Sequence, residues 1–210
     1  LFRSTKLQGF NKKKYCVILG GLLFLISGLR GESVGVDSWN YARMFSIASN
    51  MNFTQVIAFF EKDLGFYIAM KIMTLLSSDH QVMFIVIALI YSYSISRFIY
   101  KYSKDPMVSF IMLITMSYFA FSLTGLRQIM ALSIILFSYD YIIRKHFLKF
   151  VFTVIIASLF HQSALLFLPA YFISNKTLNN KKVLVGILGA PIVYVLRPQL
   201  VSMVQFLFYE

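Results

Sequence analysis

Residues 53–78 read FTQVIAFFEKDLGFYIAMKIMTLLSS, and whether that stretch crosses a membrane decides the path of the whole chain. It is apolar except for a few polar positions, chiefly Glu61, Lys62, Asp63 and Lys71. Cleaner apolar runs surround it, at about 15–29 before it and at about 82–100, 107–123, 128–143, 147–173, 183–196 and 199–209 after it. Between these runs the basic residues cluster, at Lys12 to Lys14, at Lys101 and Lys104, at Arg144, Lys145 and Lys149, and at Lys176, Lys181 and Lys182. Loops rich in Lys and Arg stay on the cytoplasmic side. If 65–77 were a full crossing, the second and third clusters would lie outside. If 53–78 instead lies at or dips into the outer interface, both return to the side of the N-terminus. The same bias applies to 147–173, where one crossing would strand Lys176, Lys181 and Lys182 outside. A pair of short helices broken at His161-Gln162 keeps them inside, provided protein or a water-filled cavity surrounds the irregular backbone.

Composition agrees with a membrane solvent. Hydrophobic residues make up 59% and charged ones 13%, with a mean hydropathy of +0.73, where soluble domains carry roughly a quarter charged residues. The 22 Phe and 13 Tyr suit lipid-facing helices with aromatic belts. Continuous instead of alternating apolar runs disfavour a β-barrel. One cysteine, Cys16, inside the first apolar run, leaves no disulfide and no cysteine-rich metal site. The basic start has no small-residue cleavage site after the run that follows, and reads as a cytoplasmic anchor although the first residue is Leu instead of Met. The formal charge of +12 is accounted for by cytoplasmic loops beside anionic lipid, so nucleic acid is not an expected partner. No repeat or soluble module interrupts the chain, and residues 1–210 are expected to form one transmembrane domain.

On this path Arg30, Glu32, Asp37, Tyr41, Glu61, Asp63, Arg127, Gln128 and His161 collect on the external side, though they come from four separated stretches. Arg127 stands between two apolar runs. It either snorkels to the interface or offers its planar fork to a phosphate or pyrophosphate. Arg30, at the end of the first run, presents the same choice, and a dianionic ligand outside would explain both. Asp37, in the turn Gly35-Val36-Asp37-Ser38, is either a helix cap or a carboxylate able to take a proton from a sugar hydroxyl. Glu61, beside Lys62 and Asp63, reads more as a solvated charged face. His161, between Phe160 and Gln162, is either a packed histidine or a proton carrier and phosphate ligand at the helix break. Asp37 and Glu61 together leave a divalent cation open, but no ligand spacing announces one, and no cofactor is expected.

The order Arg30-Gly31, Val34-Gly35-Val36-Asp37, Tyr41, then Glu61 with Gly65-Phe66, then Gly125-Leu126-Arg127-Gln128, then Phe160-His161-Gln162-Ser163-Ala164 with Pro169, resembles the EpsG family. These are Wzy-like bacterial exopolysaccharide and O-antigen polymerases. The resemblance runs from about residue 15 to 175. It implies an all-α polytopic membrane glycosyltransferase, a GT-C-like bundle whose large first external loop carries interfacial helices. The substrate would be an oligosaccharide on undecaprenyl pyrophosphate, polymerised at the outer face of the bacterial cytoplasmic membrane, among bilayer lipid. A flippase and a chain-length regulator would be its pathway partners. Asp37, Arg127 and His161 would carry the catalysis, with inversion at the anomeric centre as the expected outcome, and Arg30, Tyr41, Glu61 and Gln128 would bind substrate. Members are usually longer, so the resemblance also implies a fragment or a truncated product. A transporter of lipid-linked oligosaccharides is the competing reading, since it too would want external arginines and a buried histidine.

Overall fold

The computed structural model describes residues 9–60 and 62–174, with single positions at 199 and 202. Among the described residues the chain forms ten α-helices and one 3-10 turn, with no strand. The apolar run at 183–196 and nearly all of that at 199–209 lie outside the described residues.

Two long helices set the frame. Helix α1 (Gly9–Gly28) packs antiparallel on α5 (Gln81–Tyr102). At one end of the pair Lys12 Nζ donates to the Ser103 carbonyl at 2.7 Å, and at the other Gln81 Nε2 donates to the Gly28 carbonyl. Small residues line the seam: a Cβ on Gly20 would overlap the Ser96 hydroxyl, and one on Gly28 would touch Ala88 at 3.4 Å. Close backbone approach through small residues is how helices associate where lipid removes the hydrophobic drive.

Helix α8 (Leu126–Ile143) runs beside α5 in the same direction. Asp140, near the end of α8, accepts from Arg97 at 2.7 Å and from Lys101 at 2.6 Å, both near the end of α5. An edge-on contact of Tyr102 with Tyr139, centroids 4.7 Å apart, closes that end. Of the described helices, α5 and α8 are long and apolar enough to cross a membrane. At 22 and 18 residues they rise about 33 and 27 Å.

Parallel neighbours need a return path, which α6 (Pro106–Thr115) and α7 (Tyr118–Ser122) supply. Asp105 caps α6, its Oδ1 accepting from the Met107 and Val108 amides at 2.9 and 3.3 Å, with Pro106 in the first turn. The sequence predicts one crossing over 107–123, and here the structure differs. Ser117 takes a left-handed conformation (φ 62°) and splits the run in two. The Met116 and Ser117 amides close α6 on the Met112 and Ile114 carbonyls, while the Ser117 carbonyl starts α7 by accepting from Phe121.

The stretch 53–78 is also two short helices, α3 (Phe53–Phe59) and α4 (Leu64–Thr74), preceded by α2 (Ser38–Ser49). An Asn52/Gln55 capping box begins α3, with both bonds at 2.8 Å. Phe60 then stacks on Tyr67 at 3.7 Å between centroids, folding α3 onto α4. Lys71 is buried, and its Nζ donates to the Ala48 and Ser49 carbonyls at 3.1 and 3.2 Å, at the negative end of the α2 dipole. Lys71→Met keeps the apolar stem and deletes these bonds, and is expected to destabilise the α2–α4 unit by about 1–3 kcal/mol. Hydrogen exchange of the α2 amides in micelles checks it; exchange at the wild-type rate would refute the anchoring role.

Helix α9 (Phe147–Phe160) returns antiparallel to α8 and ends at His161, whose backbone is extended (φ −158°, ψ 130°). A 3-10 turn over Gln162–Phe167 and α10 (Pro169–Ser174) follow. Tyr171 packs on Phe150 and Phe147 at 5.3 and 5.1 Å, so the chain doubles back along α9. The break predicted at His161-Gln162 is where this reversal occurs.

Candidate active site

The stretch 30–41 is held against the start of α8. Gly35 has φ 98°, and the place a Cβ would take is filled by the Leu123 carbonyl, so both its conformation and its surroundings require glycine. Ser38 Oγ lies within donating distance of Val34 O (2.7 Å) and Leu123 O (3.1 Å) and accepts from Arg30 Nη2 at 3.4 Å. Three residues on, and therefore on the same face of α2, the Tyr41 hydroxyl accepts from Arg127 Nε at 3.4 Å. One helix face thus serves both arginines.

Asp63 is the hub. It precedes α4 in a left-handed conformation (φ 54°, ψ 40°), its side chain only 5% exposed. Asp is one of the few residues that visits this region, at some cost in strain. Its Oδ2 accepts from Arg127 Nη1 at 3.0 Å and lies 3.3 Å from His161 Nδ1. Gln128 Nε2 lies 3.0 Å from His161 Nε2. An amide nitrogen can only donate, so with the amide in this orientation Nε2 of the imidazole is the acceptor and the ring proton sits on Nδ1, aimed at Asp63. A carboxylate therefore sets both the tautomer of a histidine and the direction of an arginine fork. Arg127 and His161 come from α8 and from the break after α9, and Asp63 ties them to α4.

Gly65 makes this approach possible. A Cβ there would come within 2.9 Å of Leu159 Cβ and 3.1 Å of its backbone carbonyl, two residues before His161. Gly65→Val is expected to push α4 from α9, costing about 1–3 kcal/mol by overpacking and parting Asp63 from His161. Thermal unfolding and turnover should fall together. A Gly65→Val protein with wild-type values of both would show that the close approach is not needed.

Arg30 is buried in its own niche, its guanidinium 4.6 Å from the centre of the Phe84 ring, with Nη1 donating to the Ser27 carbonyl at 3.2 Å. Its Nε is buried without a hydrogen-bond partner, and no carboxylate pairs with it among the described residues. Burial pulls its pKa down to about 10, which leaves it cationic at neutral pH. A buried cation of this kind favours an anionic ligand nearby.

Of the residues singled out in the sequence, Tyr41, Arg127, Gln128 and His161 meet in one network, and Arg30 joins it through Ser38 and α2. Asp37 does not. It stands at the start of α2 with an exposed side chain that makes no capping bond. Glu61 lies outside the described residues. Glu32 turns instead to His80, 3.7 Å away. Asp63, which sequence reading placed in a solvated charged face with Glu61 and Lys62, is the central carboxylate. Two features that the solvated look of Glu61 and Lys62 masks could have found it: an Asp directly before an apolar helical run, and an arginine, Arg127, that needs an acid if it is to be held inside the protein. Among the described residues no group of three or more His, Cys, Asp or Glu side chains fits a metal ion.

Compared with known proteins, the sequence matches the model of the EpsG family over residues 13–210. No curated protein and no solved structure matches it.

Proposed function

Since the chain belongs to the EpsG family of Wzy-like polymerases, we propose that the network around Asp63 transfers a growing glycan from a polyprenyl-pyrophosphate carrier to an acceptor glycan. Family membership makes this a membrane protein with a glycosyltransferase-like polymerase role in exopolysaccharide biosynthesis. The observation that carries the finer reading is the single carboxylate oxygen shared by Arg127 and His161 at 3.0 and 3.3 Å.

The reaction needs a base for the acceptor hydroxyl and a cation for the departing pyrophosphate. His161 supplies the first: with its proton on Nδ1 held by Asp63, the Nε2 lone pair takes the hydroxyl proton once substrate displaces Gln128. Arg127, braced by Asp63 and Tyr41, faces the charge that grows on the leaving group. The acceptor oxygen bonds to the anomeric carbon as the carbon–oxygen bond to pyrophosphate breaks, and the bonding pair leaves with the polyprenyl pyrophosphate. The acceptor proton ends on His161. One displacement of this kind inverts the anomeric centre. Arg30 adds a second cation toward the same anion. The basic clusters at the opposite ends of α5 and α8 support an external site in the bacterial cytoplasmic membrane.

The test is chain growth by the protein reconstituted in lipid with a polyprenyl-pyrophosphate-linked repeat unit. A ladder of products is expected. A protein that moves the lipid-linked glycan across the bilayer without lengthening it would be a transporter, and the polymerase reading would be wrong.

A further inference from the structure

A groove of about 630 Å³ runs along α8, within the size range of ligand sites. It begins at Gln128, the residue bonded to His161, and follows Leu132 and Leu136 at four-residue spacing to Tyr139. That is about 16 Å along the helix axis. The 3-10 turn after His161 forms the facing wall through Leu166 and Phe167. Gln128 and Ser163 are polar at the end nearest the site; beyond them, among the described residues and apart from the Tyr139 hydroxyl, the lining is hydrocarbon, with no acidic side chain.

Resting on the polymerase reading above, we infer that this groove holds the isoprenoid chain of the carrier, with the pyrophosphate at its Gln128 end beside Arg127. The groove is continuous with the site, since Gln128 belongs to both. Charge runs the right way: Arg127, bonded to the Asp63 carboxylate that also faces His161, stands one residue from the Gln128 end of the groove, and a cation beside an apolar channel suits an amphiphile with one anionic head and one long chain. The reversal at His161 then has two uses, because it sets the imidazole in the network and lays the following turn against α8 as a wall. Anchoring the chain in this groove fixes where the pyrophosphate sits relative to Arg127, so chain contacts far from the chemistry would sharpen turnover.

The experiment labels the full chain in phospholipid nanodiscs with a polyprenyl pyrophosphate carrying a diazirine at the far end of its chain, and maps the adducts by mass spectrometry. Adducts are expected near Leu136–Tyr139 and Leu166–Phe167, displaced by unlabelled polyprenyl pyrophosphate but not by equal added phosphatidylglycerol. Leu136→Trp, which fills the groove, should cut labelling roughly tenfold, the equivalent of about 1.4 kcal/mol. Should that variant not fold, Leu132→Trp decides, since Leu132 is already 39% exposed. Labels spread over all lipid-facing helices, labels displaced equally by phospholipid, or undiminished labelling in a folded variant would each overturn the inference. Labelling requires no glycan transfer, so groove adducts on a protein that builds no ladder would sink only the polymerase reading. A ladder without groove adducts would sink only the groove.

Discussion

Asp63→Asn is expected to slow glycan chain growth by about 10³–10⁴-fold, on the scale seen when the acid that orients a catalytic histidine is lost. The substitution keeps the shape of the side chain and removes its charge. Facing His161 Nδ1, an amide that presents its NH₂ would force Nδ1 to accept and move the ring proton to Nε2, where it blocks the base. An amide that presents its oxygen would keep the tautomer but leave Arg127 without its counter-charge. Either outcome costs one of the two functions. Asp37→Asn should stay within a few fold of wild type, since Asp37 is exposed and makes no bond in the network. Initial rates of ladder formation, on variants matched for thermal stability, provide the comparison. Rapid growth by Asp63→Asn with collapse of Asp37→Asn would return the base role to Asp37.

The contrast between these two carboxylates marks where sequence reading stops. Helix positions were legible from apolar runs and basic loops, because both report on the solvent around each segment. The break at His161 was legible from the same charge bias, which favours a reversal ahead of the basic positions 176, 181 and 182 in the sequence. The split at Ser117 was not, since Thr115 and Ser117 within an apolar run leave hydropathy almost unchanged and a left-handed residue has no signature in composition. At the site, Arg127 and His161 stood out because polar groups are costly among apolar neighbours. Asp63 did not, because Glu61 and Lys62 beside it make the local pattern look solvated. Its burial comes from elsewhere in the chain, from Gly65 letting α4 lie against Leu159. A contact between residues about a hundred positions apart, His161 and Asp63, leaves no local trace.

Arg127→Ala is expected to lower kcat by about 10²–10³-fold, the usual loss when a donor aimed at developing charge is removed. KM should change less, because in the proposed mechanism Arg30 shares the anion in the ground state while the charge released on bond breaking falls to Arg127. Arg127→Lys should recover little. A lysine brings one ammonium, whereas the guanidinium spans Tyr41 with Nε at 3.4 Å and Asp63 with Nη1 at 3.0 Å and so is fixed in direction. Because Asp63 orients both Arg127 and His161, the single losses should not add: the double variant Asp63→Asn/Arg127→Ala is expected to grow chains about as slowly as the slower single variant. Single-turnover rates for the four proteins close the cycle. Strict additivity would mean that Asp63 serves His161 alone and that its bond to Arg127 is an interfacial ion pair. A rise in KM with kcat unchanged would assign Arg127 to carrier binding and leave the leaving-group charge to Arg30.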